Sequence, residues 1–66
     1  MSDPQISLDE QVACVARELS LRRSAYPKFV ARHTMEQEMA DKEIARMTAV
    51  LETLKALRDA AQAREG

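Results

Sequence analysis

The side chains in this sequence that could do chemistry gather around Arg22. Arg22 stands where an apolar stripe would otherwise run on from Leu19 to Tyr26, and Glu36 and Glu43 fall inside a second stripe with Met47 and Leu54. A guanidinium, a carboxylate and a phenol brought together could hold an anion or another small molecule. The same group, left without a ligand, would act as a polar network that sets helix register. Arg22 is expected to pair with Glu43 across two helices, with the Tyr26 hydroxyl joining them. Glu18, one turn before Arg22, competes for it at the favourable i,i+4 spacing.

The other reactive groups give little support to catalysis. Cys14 is the only cysteine, so no disulfide can form within the chain, and its neighbours Ala13 and Val15 make it read as a small hydrophobe at an interface. His33 is the only histidine, there is no glycine-rich phosphate loop, and no Glu-x-x-His pair of the di-iron type occurs. The expectation is a protein that is not an enzyme and uses no cofactor or metal. Arg17, Arg22, Arg23, Lys28 and Arg32, set against Glu18 alone, make one stretch locally basic. Arg17, Arg23, Lys28 and Arg32 are the residues that could contact phosphate, although Glu36, Glu38, Asp41 and Glu43 follow closely enough to neutralise them.

Composition sets bounds on the architecture that holds these residues. At 66 residues the chain is one small domain, too short for a multidomain enzyme. One glycine, two prolines and an aromatic content of 3% favour helices, and 32% charged residues keep the chain in solution. A net charge of −1 lacks the cationic surplus that drives phosphate binding. No apolar run approaches the roughly 20 residues of a membrane span. With no secretory pattern at the start, the expected location is cytoplasmic.

Ser7-Leu8-Asp9-Glu10 has the form of a helix-opening capping box, and Asp3-Pro4 disfavours helix before it. A lead-in over residues 1–6 is therefore followed by a helix over about residues 7–32. Its seam of Leu8, Val12, Val15, Leu19, Tyr26 and Phe29 recurs at spacings of three and four, as in an amphipathic or coiled-coil helix. Pro27 removes a hydrogen bond and should kink that helix near Tyr26. Thr34-Met35-Glu36-Gln37 repeats the capping pattern, which predicts a turn at residues 33–34 and a second helix over about residues 35–63. Met39, Met47, Val50, Leu51, Leu54, Leu57 and Ala61 are expected on one face of it, with fraying over residues 64–66.

Two long helices joined by so short a turn make an antiparallel hairpin, an all-α fold in which facing residue numbers sum to about 67. That register brings Asp9 to Arg58 and Arg22 towards Glu43. Cys14, Leu21 and Ala25 form a further apolar strip away from Val12 and Leu19. A strip left over on so small a chain points to a second subunit, most simply a homodimer closed as a four-helix bundle, or to an unidentified protein partner. No membrane partner is expected.

Glu18-Leu19-x-x-Arg22-Arg23-x-x-Tyr26-Pro27, followed by Ala40-Asp41-Lys42-Glu43-Ile44-x-x-Met47-x-Ala49-Val50-Leu51-x-Thr53-Leu54, resembles small coil-containing proteins encoded by phages and prophages of proteobacteria. The resemblance extends over roughly residues 16–57, and its most specific part is Arg-x-x-x-Tyr-Pro combined with Ala-Asp-x-Glu-Ile. It implies a phage context and brings no assigned activity or binding residues. The chain has His33 where a small residue would be expected at the turn.

Overall fold

The computed structural model describes residues 5–65. Most of the lead-in read over residues 1–6, and Gly66 of the frayed end, lie outside them. Two helices, α1 (Leu8–Ala31) and α2 (Gln37–Glu65), fold back on each other as a hairpin. At about 1.5 Å per residue α2 is roughly 43 Å long, which accounts for the longest dimension of the molecule, 48 Å. The smallest dimension is 14 Å, so the molecule is a single layer of two helices.

Each helix end has a local cause. Ser7 takes an extended backbone and its Oγ accepts from the Glu10 amide at 3.1 Å, which satisfies one of the open amides of the first turn. Ile6 has no apolar partner at Gln11, and instead its carbonyl accepts from Gln11 Nε2 at 3.0 Å. Asp9 and Glu10 in the first turn and Lys28 in the last complement the helix dipole. Pro27 lies inside α1 without dividing it.

The turn is longer than the expected two residues. The Thr34 amide reaches back to the Phe29 carbonyl and the His33 amide to the Val30 carbonyl, both at 3.0 Å, which is the Schellman pattern of helix closure. His33 supplies the left-handed residue that this closure requires, at φ 61°. Thr34 Oγ1 also donates to the Phe29 carbonyl, at 3.1 Å. Thr34 is thereby committed to ending α1 and does not cap α2. The second capping box is not formed, the connection takes residues 32–36, and α2 starts at Gln37, with the Glu36 carbonyl accepting from the Ala40 amide. At its other end α2 continues to Glu65, past the expected limit near residue 63.

The core is thin. Val12, Leu19 and Leu51 form its buried centre, with Val15, Ala16, Ile44, Met47 and Leu54 packed around them. Ala40, near the turn, is also buried. The expected single apolar face of α2 is divided: Met47, Leu51 and Leu54 pack inwards, whereas Met39, Val50 and Leu57 are each more than half exposed. At about 100° per residue these six positions span an arc of about 120°, but the contact with α1 lies at the Leu51 edge of it, which leaves the opposite edge outside. Phe29, at the far end of the α1 seam, is exposed as well.

A left-handed backbone costs a residue with a Cβ about 1–2 kcal/mol, part of which is offset by the greater unfolded-state freedom of glycine. His33→Gly is therefore expected to stabilise the hairpin by about 0.5–1 kcal/mol and to raise the thermal midpoint by a few degrees. Thermal unfolding followed by circular dichroism at fixed protein concentration checks this, and an unchanged or lower midpoint would contradict the assigned closure.

Candidate functional site

The polar network expected around Arg22 separates into two pairs, each within one helix. Arg22 donates through Nη1 to Glu18 Oε2 at 2.8 Å and to the Glu18 carbonyl at 3.1 Å. Glu43 accepts from Arg46 Nη1 at 2.7 Å, so the expected Arg22–Glu43 pair is not formed. A partner one turn away on the same helix is held in place by the helix itself. Pairing across the hairpin would require two long side chains to extend over the apolar seam. The competing partner Glu18 therefore prevails.

The Arg22 guanidinium is held above the usual arginine pKa, chiefly by its hydrogen bond to Glu18, with smaller support from Tyr26 and some opposition from desolvation. A base whose pKa rises on folding contributes stability below its ordinary value and loses it only above. Arg22 thus stays charged around neutral pH and provides no switch there. The Arg22 and Glu18 side chains are 35% and 42% exposed, so the pair is a solvated surface contact and not a buried charge cluster. Asp9 and Arg58 do meet across the hairpin, at 3.9 Å, in the register expected of facing residues.

Tyr26 contributes to a shallow cleft of about 150 Å³ between the helices near the turn, lined by Arg23, Tyr26 and Pro27 of α1 and by Gln37, Ala40, Asp41 and Ile44 of α2. Asp41 Oδ1 accepts from Gln37 Nε2 at 2.8 Å. The Tyr26 and Phe29 rings are tilted against each other at a centroid distance of 6.3 Å. The cleft divides the expected basic set. Arg23 shares the cleft with Asp41, whereas Arg17, Lys28 and Arg32 are exposed and make no ion pair among the described residues.

A broader feature lies on the other side of the hairpin. Cys14 is exposed, Leu21 is 57% exposed and Ala25 is half-buried. On α2 the exposed residues are Met39, Val50 and Leu57, at 51%, 51% and 52%. Relative to the buried residues of its own helix, the α1 strip is turned by roughly 130–170° and the α2 strip by roughly 80–120°, both in the same sense. Because the helices run in opposite directions, turns of the same sense bring both strips to one side of the layer, with the α1 strip nearer its outer edge. The cleft residues are turned the opposite way. The hairpin thus has one face crossed by an apolar band and one polar, grooved face. Sequence periodicity identified Cys14, Leu21 and Ala25 but set Met39, Val50 and Leu57 on one face with Met47, Leu51 and Leu54; the exposed strip was legible only as a wheel position at the edge of that face.

Among the described residues no group of three or more His, Cys, Asp or Glu could hold a metal ion, and no helix is long and apolar enough to cross a membrane. No protein-family model matches the chain, and no similar protein was found among curated proteins or solved structures.

A double-mutant cycle tests the division of the network. Arg22→Leu combined with Glu18→Gln is expected to show a small coupling that fades in high salt, and Arg22→Leu combined with Glu43→Gln none. Urea unfolding of the variants reads both, and a clear Arg22–Glu43 coupling would restore the pairing across the hairpin.

Proposed function

We propose that this protein is a non-enzymatic protein–protein interaction or accessory module, encoded by a phage or prophage, that works as a small helical homo-oligomer. The observation that carries this reading is the band of Leu21, Met39, Val50 and Leu57 on one side of a two-helix layer. Domains are generally built from at least two packed layers, and several large apolar side chains exposed on one side of a single layer mark a contact surface. The small number of potential catalytic groups agrees with an interaction role. The phage origin rests on the resemblance of residues 16–57 alone. A homodimer is the smallest assembly that supplies the second layer.

Light scattering on a size-exclusion column, run with reductant from low to several hundred micromolar protein, is expected to give twice the mass of the 7.4 kDa chain. Val50→Asp with Leu57→Asp is expected to give a helical species at the single-chain mass. A wild-type chain that stays folded at the single-chain mass throughout would overturn the homo-oligomer.

A second reading, a small nucleic-acid-associated protein, is favoured only by the exposed and unpaired Arg17, Lys28 and Arg32. Arg23, on the cleft side beside Asp41, does not join that surface. Phosphate contacts make affinity fall steeply with salt. On immobilised DNA or RNA at low ionic strength the protein is expected to pass through unretained, and salt-sensitive retention would favour this second reading instead.

A further inference from the structure

We infer that the apolar band is covered by a second copy of this chain lying with its turn at the opposite end, α1 against α1 and α2 against α2, each pair antiparallel. The inference rests on the homo-oligomer reading above and adds to it the orientation of the copies and the residues that meet.

The first argument is area. The chain exposes 5401 Å², whereas a compact monomer of its mass exposes about 4,200 Å². The surplus exceeds the roughly 800 Å² per partner that a stable interface buries. Covering one broad side of the single layer would remove area on that scale.

The second argument is symmetry. In the register set by Asp9 and Arg58, Leu19 lies level with Thr48. On α2, Met39 and Leu57 are equidistant from Thr48. On α1, Cys14 and Ala25 are equidistant from the Leu19–Ser20 step. One two-fold axis, perpendicular to the helices at that level, therefore sets Met39 against Leu57 and Cys14 against Ala25 at the same time. The small Cys14 and Ala25 side chains allow the two α1 helices to approach closely.

Charge supports the same orientation. The first turn of α1 carries the exposed Glu10, and its last turn and cap carry Lys28 and Arg32. Antiparallel α1 helices bring opposite charges together at both ends. With both turns at the same end, α1 would instead lie over the α2 of the second copy. Leu21 would then fall level with Arg46, Ala25 with Lys42, Met39 with Lys28, Val50 with Arg17 and Leu57 with Glu10, so each of these apolar groups would face a charged one. The inferred orientation does this only for Leu21 and Val50, level with Glu18 and Arg46. A protomer contact of that kind loses the match that the first orientation makes.

Disulfide trapping tests the orientation directly. Under the proposal two copies of Cys14 lie about 16 Å apart along the helices, beyond the roughly 7 Å Cα separation that a disulfide spans. The wild-type chain is therefore expected to remain uncrosslinked under mild oxidation. Ala25→Cys is expected to give a covalent dimer on a non-reducing gel, through Cys14 of one copy and position 25 of the other. The same substitution in a Cys14→Ser chain is expected to lose it. If Thr53→Cys crosslinks and Ala25→Cys does not, the turns lie at the same end and the inferred orientation fails while the homo-oligomer stands. A single-chain mass for the uncrosslinked wild type overturns both.

Discussion

Two helices that touch along one line can bury only about a third of the circumference of each, and the rest of this molecule follows from that limit. Val12, Leu19, Ala40 and Leu51 lie along the contact line and are the only buried hydrophobic residues among those described. Every other apolar side chain among the described residues lies at the edge of the seam or outside it. The hairpin is consequently both a fold and an unfinished surface. Its one layer cannot enclose the apolar groups that its two helices carry.

The same limit governs the charged residues. Arg22 and Glu43 interrupt apolar stripes, yet neither is buried, because their positions fall on the flanks of a narrow seam. On the flank a long side chain retains water, and its nearest opposite charge is one turn along its own helix. The Glu18–Arg22 and Glu43–Arg46 pairs are therefore helix-surface contacts of the kind that adds little to stability. Burial along the seam, together with the caps at Ser7 and His33, holds the hairpin closed.

The two broad sides differ in chemistry, and that difference is what the functional reading uses. The grooved side near the turn places Arg23, Gln37 and Asp41 around a small open cleft whose polar groups already satisfy one another in part. The apolar side offers Leu21, Met39, Val50 and Leu57, with the Glu18–Arg22 and Glu43–Arg46 pairs set among them. Burial of apolar area drives association without directional bonds. Specificity on such a surface then comes from shape, from the small residues and from the charges at its rim.

Much of the fold was legible in local sequence. The Ser7 cap, the spacing of Val12, Val15 and Leu19, and the scarcity of glycine specify two helices, because each of these acts over a turn or two of backbone. The facing of Asp9 and Arg58 also followed, since an antiparallel hairpin allows one register once the turn is located. Tertiary structure decided what depends on which of several partners is reachable. It used Thr34 to close α1 and so delayed α2 to Gln37; it gave Arg22 to Glu18 and Glu43 to Arg46; and it divided one apolar set into an inward line and an exposed band. In each case the sequence offered two acceptable local answers. The angle between positions on a packed helix, which no residue carries by itself, chose between them.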